Sequence, residues 1–106
     1  MIDKNYVRLE GVIMGDVTYK KTSAGKPYCC FTIRTETKGS EGVSTTNTYV
    51  FVFSQQRIDY LKRVCAREGN RVSVDAHLRT SKKDVHGTTI MQTIVTVDEV
   101  HIIKMS

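Results

Sequence analysis

The chain has 106 residues, with 16 Lys and Arg against 11 Asp and Glu, a formal net charge of +5 and a pI near 9.2. That length supports one compact domain, residues 1–106, because a second core would leave each half only marginally stable. The apolar fraction of 40% is ordinary for a globular chain. No apolar run approaches the roughly 20 residues of a membrane-crossing helix, which excludes that class.

The amino terminus, Met1-Ile2-Asp3-Lys4-Asn5, carries no basic patch followed by an apolar stretch and a cleavage site, so an intracellular chain is expected. Cys29, Cys30 and Cys65 are odd in number and none stands in a C-x-x-C or Cys/His spacing. They are expected to be small hydrophobes in a reducing compartment, with neither a disulfide framework nor a metal site. The basic balance leans towards a polyanionic partner, because each Lys or Arg that neutralises a phosphate releases condensed counterions.

In chain order, residues 6–13 alternate, with Val7, Leu9 and Ile13 on one side and Arg8 and Glu10 on the other, the pattern of a half-buried strand. Gly11 falls on the buried side, where a glycine marks a bulge or a strong coil. The pattern resumes over residues 17–20 and stops at a Ser/Gly/Pro-bearing turn, residues 22–27. A second strand covers residues 28–36. Cys29, Phe31, Ile33 and Thr35 face one way, and Tyr28, Cys30, Thr32, Arg34 and Glu36 the other. Residues 38–46 are polar, Gly/Ser-rich and unpatterned, and are expected to form a mobile loop. Thr48-Tyr49-Val50-Phe51-Val52-Phe53 is β-branched or aromatic throughout, a third strand.

The period then changes. Ile58, Leu61, Val64 and Cys65 recur at three- and four-residue spacing, predicting an amphipathic helix that Ser54 can cap at its start and Gly69 at its end. Residues 71–80 alternate again, with Val72, Val74, Ala76 and Leu78 opposite Arg71, Ser73, Asp75, His77 and Arg79. A basic turn over residues 81–87 leads into a long final strand, residues 88–103. Three strands, one helix and two strands is the order of an all-β, five-stranded OB-fold, a Greek-key barrel with one α-helix between strands three and four.

Within that order, specific segments resemble the bacterial-type single-stranded DNA-binding proteins. Asn5-Tyr6-Val7-Arg8-Leu9-Glu10-Gly11 resembles their opening strand, and Gly25-Lys26-Pro27-Tyr28-Cys29-Cys30-Phe31-Thr32-Ile33-Arg34-Thr35 their glycine turn and second strand. Tyr60-Leu61-Lys62, Glu68-Gly69-Asn70-Arg71-Val72-Ser73-Val74, Leu78-Arg79-Thr80 and Thr93-Ile94-Val95-Thr96-Val97-Asp98-Glu99-Val100 are similar to the later elements, in order and over most of the chain. The sequence departs from the family where stacking tryptophans usually stand, at Lys38, Asn47 and Lys83, and it shows no Pro-rich tail with an acidic tip, whether because such a tail was removed or because this relative never had one. In those departures it resembles the primosomal replication proteins of PriB type and, more distantly, OB proteins of RNA-editing complexes. The resemblance implies single-stranded DNA binding in replication, recombination or repair, a homo-oligomer (dimer or tetramer), and replication proteins as further partners. It implies a place in the bacterial cytoplasm, at the nucleoid, or in the mitochondrial matrix. It implies no enzyme and no cofactor. The competing expectation, which the missing tryptophans and tail favour, is an OB interaction module that mainly contacts proteins.

An OB groove combines cations that follow the backbone with flat side chains on which bases stack. In strand three Tyr49, Phe51 and Phe53 share one face, and Thr48, Val50 and Val52 the other. A period of two does not say which face is inside. Val50 and Val52 suit a barrel interior, so the aromatic face is expected outward, and the family's stacking phenylalanine aligns with Phe53. Tyr28 shares the outer side of strand two with Arg34, whereas Tyr19 and Tyr60 are expected to be packing or surface. Arg34 and Arg79 are the leading candidates to bridge phosphates or stack on bases. Lys20, Lys21 and Lys26 cluster at the first hairpin, and Lys82 and Lys83 at the last. His77, His86 and His101 are scattered, with no nucleophile, carboxylate pair or phosphate loop beside them, so catalysis finds little support. OB grooves accept both DNA and RNA, and the sequence identifies no reader of the 2′-hydroxyl.

Overall fold

The alternating segments become strands, and the stripe around Ile58 and Leu61 becomes a helix. In the computed structural model, which describes residues 2–104, the elements are β1 (Val7–Lys21), β2 (Pro27–Gly39), β3 (Gly42–Val52), α1 (Gln55–Arg63), β4 (Arg71–Val85) and β5 (Thr88–Lys104). The strands close into a barrel in the order β1-β2-β3-β5-β4. Neighbours run antiparallel except β3 and β5, which pair in parallel through Val50 with Val95 and Phe51 with Thr96. This is the OB-fold expected, with its helix between the third and fourth strands.

The inner faces of the strands bring Ile13, Phe31, Ile33, Val50, Val52, Val72 and Val74 into one core, each at most 1% exposed. Burying each such side chain contributes about 1.5–3 kcal/mol before conformational entropy is counted. Helix α1 adds Ile58 and Leu61 to the same cluster. The Tyr60 hydroxyl accepts a hydrogen bond from the Ile102 backbone N–H at 3.0 Å, tying the helix to β5.

Strand β1 serves two partners, which requires it to coil. Its first half pairs with β4, from Val7 with Ala76 to Val12 with Arg71, and from Val12 onward it pairs with β2. Gly11 sits at the changeover. A Cβ there would lie 2.2 Å from the Arg34 carbonyl oxygen, so the close approach of the two backbones demands glycine. At the other end of the groove of contacts, Asn5 makes two hydrogen bonds to the Leu78 backbone, at 2.7 and 2.8 Å, and extends the β1–β4 pairing by side chain. Tyr6 and Arg8 both reach Asp75 Oδ1, at 2.5 and 2.9 Å. The Tyr6 hydrogen bond first, then the charge of Arg8, hold the Asp75 carboxyl below its usual range against partial desolvation.

Four expectations are corrected. Residues 38–46 are two strand ends and a tight turn at Ser40 and Glu41 rather than a mobile loop: β2 and β3 stay paired from Cys29 with Val52 to Gly39 with Gly42. A two-stranded ribbon beyond the barrel covers no core, so its sequence shows no apolar alternation, while its threonines still favour the extended backbone. Likewise the basic turn shrinks to His86-Gly87, both with positive φ (51° and 80°), and Lys82 and Lys83 lie on β4. The helix ends at Arg63 rather than reaching Gly69. Cys65 takes the left-handed conformation (φ 54°), and the N–H groups of Cys65 and Ala66 bond back to the carbonyls of Lys62 and Leu61, a Schellman termination made without glycine. Cys65 is therefore exposed, off the packed stripe. Leu78, expected inside with Val72, Val74 and Ala76, is 44% exposed, although Ala76 two residues before it is fully buried.

Candidate nucleic-acid interface

Barrel closure decides which face of β3 is inside. Val50 and Val52 are fully buried, so Tyr49, Phe51 and Phe53 stand on the outer surface, with Tyr49 half exposed. Tyr28, from the outer side of β2, joins them. The rings form a row: Tyr49 meets Phe51 edge-on at 5.0 Å, Phe51 and Phe53 lie nearly parallel at 6.1 Å, and Phe53 stacks with Tyr28 at 5.8 Å. The Arg79 guanidinium, from β4, lies 4.6 Å from the Phe53 centroid. That arrangement is a cation–π contact on a flat apolar shelf.

The shelf explains an unexpected burial. Cys30 is on the outer side of β2, as its alternation requires, yet it is only 1% exposed. Tyr49 lies across the strand pair and donates a hydrogen bond from its hydroxyl to Cys30 Sγ at 2.8 Å. This bond, followed by burial, pushes the Tyr49 phenol pKa above its ordinary value. Burial does the same to the Cys29 thiol on the inner face.

The cations divide into those beside the row and those apart from it. Lys20 is the β1 partner of Tyr28. With Lys21, Tyr19, Pro27, Ile58 and Lys62 they line a hollow of about 400 Å³ at that end of the row. Lys83 lines a second hollow of about 360 Å³ at the other end, with Tyr49, Phe51 and Gln92. Arg34 stands further along β2, opposite Asn47 rather than opposite a ring. There it shares a third hollow with Glu10, Glu36 and Arg71 and lies 3.8 Å from the Glu36 carboxylate. Lys26 is in the exposed turn, where its N–H bonds to the Thr22 hydroxyl at 3.1 Å. Lys82 pairs with Met91 on β5 and, next to Lys83 in a strand, points to the opposite face. The structure thus gathers Tyr28, Tyr49, Phe51, Phe53, Arg79, Lys20, Lys21 and Lys83, and leaves Arg34, Lys26 and Lys82 outside that group.

Sequence reasoning missed Lys62 and Tyr19, which meet at 5.1 Å from ammonium to ring centroid. Helix periodicity assigned Lys62 to a polar face, and nothing local to it signals that this face stands over the end of β1. Among the described residues no group of three His, Cys, Asp or Glu is placed to hold a metal ion, and no helix is long and apolar enough to cross a membrane.

A closed five-stranded barrel with one helix between its third and fourth strands defines an OB-fold protein, here with a row of rings on the β2–β3 face and lysines at both ends of the row. Residues 4–103 match the single-strand binding protein family, and the chain belongs to it. Two solved structures illustrate the shared fold. The mitochondrial single-stranded DNA binding protein Rim1 of S. cerevisiae is 18% identical, over 97% of this chain and 98% of that one, with a TM-score of 0.75. A Plasmodium falciparum SSB, in complex with ssDNA, is 19% identical over 100% of this chain and 98% of its own, with a TM-score of 0.74. A search of curated proteins gives no significant match.

Proposed function

We propose that this protein binds single-stranded DNA with little regard to sequence, by stacking bases on the row of Tyr49, Phe51, Phe53 and Tyr28 and holding the backbone with Arg79 and the flanking lysines. The observation that carries this reading is the row itself, four outward rings in mutual contact with a guanidinium over one of them. Apolar rings kept at a surface are matched by a partner with flat faces, and every base has one. Membership of the family and the ssDNA held by the P. falciparum relative support the same reading.

The physical steps follow from the site. The excess of cations draws in a polyanion. A strand then stacks, each base contributing about 1–3 kcal/mol, which a duplex with its bases already stacked does not gain. RNA single strands have the same π-faces and are accepted too. The role is protection of exposed strands in replication, recombination or repair, in the bacterial cytoplasm or the mitochondrial matrix, by a protein that does no chemistry on them. A homo-oligomer, dimer or tetramer, lengthens the groove across subunits, and sheet edges left unpaired in one copy are covered in it. Competition between labelled single strand and unlabelled duplex tests the proposal: single-strand selectivity is expected, and equal competition by duplex would mean a barrel turned to protein contacts.

A further inference from the structure

We infer that the hollow between the end of β1 and helix α1 is a phosphate subsite, in which Lys20, Lys21 and Lys62 hold one phosphate of a strand that leaves the ring row at Tyr28. The inference rests on the single-strand reading above and extends its path onto the helix, where that reading places nothing.

Geometry carries it. The hollow of about 400 Å³ opens beside Tyr28, which is both a wall of the hollow and the last ring of the row, stacked on Phe53 at 5.8 Å. Three lysines line it, and among the described residues no carboxylate does. The hollow that holds Arg34 and Arg71, by contrast, is lined also by Glu10 and Glu36. Past Met14, β1 pairs with β2 alone, and along its other edge Asp16 to Tyr19 share a hollow with Ala66, Arg67 and Glu68, just after α1.

Lys62 is held in place for this. Ile58 and Leu61, on the same helix, are at most 1% exposed and fix the helix on the barrel. The Lys62 ammonium lies 5.1 Å from the Tyr19 ring centroid, which orients it at the mouth of the hollow. The nearest acidic residue in sequence, Asp59, is already engaged by the Gln55 side-chain amide at 2.8 Å. An ammonium is a compact point charge with three donors, suited to a phosphate oxygen approached from several sides. Tyr19, whose phenol pKa burial raises, lines the same hollow.

The test is Lys62→Gln, an exposed substitution on the helix side of the hollow, with Lys62→Arg as the charge-preserving control. Binding of thymine oligomers of about 4 and about 16 nucleotides is followed by anisotropy across a salt series. For the longer oligomer, Lys62→Gln is expected to lower the slope of log affinity against log salt by up to about 0.7, one phosphate's share, and Lys62→Arg to restore it. For the shorter one, which the row alone accommodates, no change is expected. Oligomers with and without a terminal phosphate separate the two sources of the anion: an equal loss in both assigns the subsite to an internal phosphodiester, and a loss confined to the phosphorylated oligomer assigns it to the strand end. A Lys62→Gln protein with the wild-type slope on the longer oligomer overturns the subsite while leaving single-strand binding intact. A wild-type protein that binds no strand overturns both.

Discussion

The guanidinium of Arg79 covers the ring of Phe53 at 4.6 Å from its centroid, joining the middle of β4 to the residue just past β3. In the free protein this cation occupies the face on which a base would stack. An exposed cation–π contact is worth about 0.5–1 kcal/mol and a stacked base about 1–3 kcal/mol, so exchange of one for the other is favourable. In the proposed complex the displaced guanidinium is free to take a phosphate, so that one movement would serve stacking and charge together.

Removing the ring tests the stacking half. Phe53→Ala is expected to weaken single-strand binding roughly 5- to 150-fold, the equivalent of one stacked base, with the salt slope unchanged because no charge is lost. Anisotropy titrations at several salt concentrations check it. A folded Phe53→Ala protein with full affinity would remove Phe53 from the groove.

The two lysines of the last hairpin should separate. Lys83 lines the hollow beside Tyr49 and Phe51, whereas Lys82 points from the other face of the ribbon. Lys83→Ala is therefore expected to reduce the salt slope by about 0.7, and Lys82→Ala to leave it where it was. Equal effects from both would show that the ribbon twists far enough to present either face.

Much of the barrel was legible because a half-buried strand must alternate, and Val72, Val74 and Ala76 or Phe31 and Ile33 can only be satisfied in one way. The outward face of β3 was not decided by that rule, since Tyr49-Phe51-Phe53 and Val50-Val52 are both apolar rows. Closure of the barrel decided it by burying the valines. The ribbon ends were illegible for the opposite reason: with no core to cover, Thr37 to Ser44 needs no pattern, and only backbone pairing holds it. The helix end at Arg63 was hidden by an apolar stripe that runs two residues past it, through Val64 and Cys65. The Lys62–Tyr19 contact joins residues far apart in sequence, which no local pattern can report.

Gly11 gives a stability test. An added Cβ would stand 2.2 Å from the Arg34 carbonyl and 3.1 Å from Ile33 Cγ2, with backbone as the nearer obstacle. Gly11→Ala is expected to cost about 1–3 kcal/mol, or to part β1 from β2, measured as a lower urea midpoint or melting temperature. A midpoint equal to wild type would mean that the two strands separate easily at this point.

Alkaline pH should destabilise the fold. Burial, then the neighbouring Cys30 thiol, push the Cys29 pKa from its ordinary 9.0 up to about 12. The hydrogen bond to Cys30, then burial, raise that of Tyr49. In both cases the unfolded chain gives up its proton first. The stabilisation is therefore complete below about pH 9 and declines as pH rises towards 12. Urea midpoints taken between about pH 8 and about pH 11 should fall steadily, and the Tyr49→Phe variant should fall less. A midpoint independent of pH over that range would contradict the assigned environments.

The most direct measurement is anisotropy of a labelled thymine oligomer of about 16 nucleotides, the upper footprint of one OB barrel, with unlabelled single-stranded, RNA and duplex competitors over a salt series. Labelling the nucleic acid is necessary because the chain has no Trp to report binding. Tight binding that survives physiological salt and yields to single strands but not to duplex is the result expected of the ring row. Weak binding that vanishes with modest salt and yields equally to duplex would contradict it.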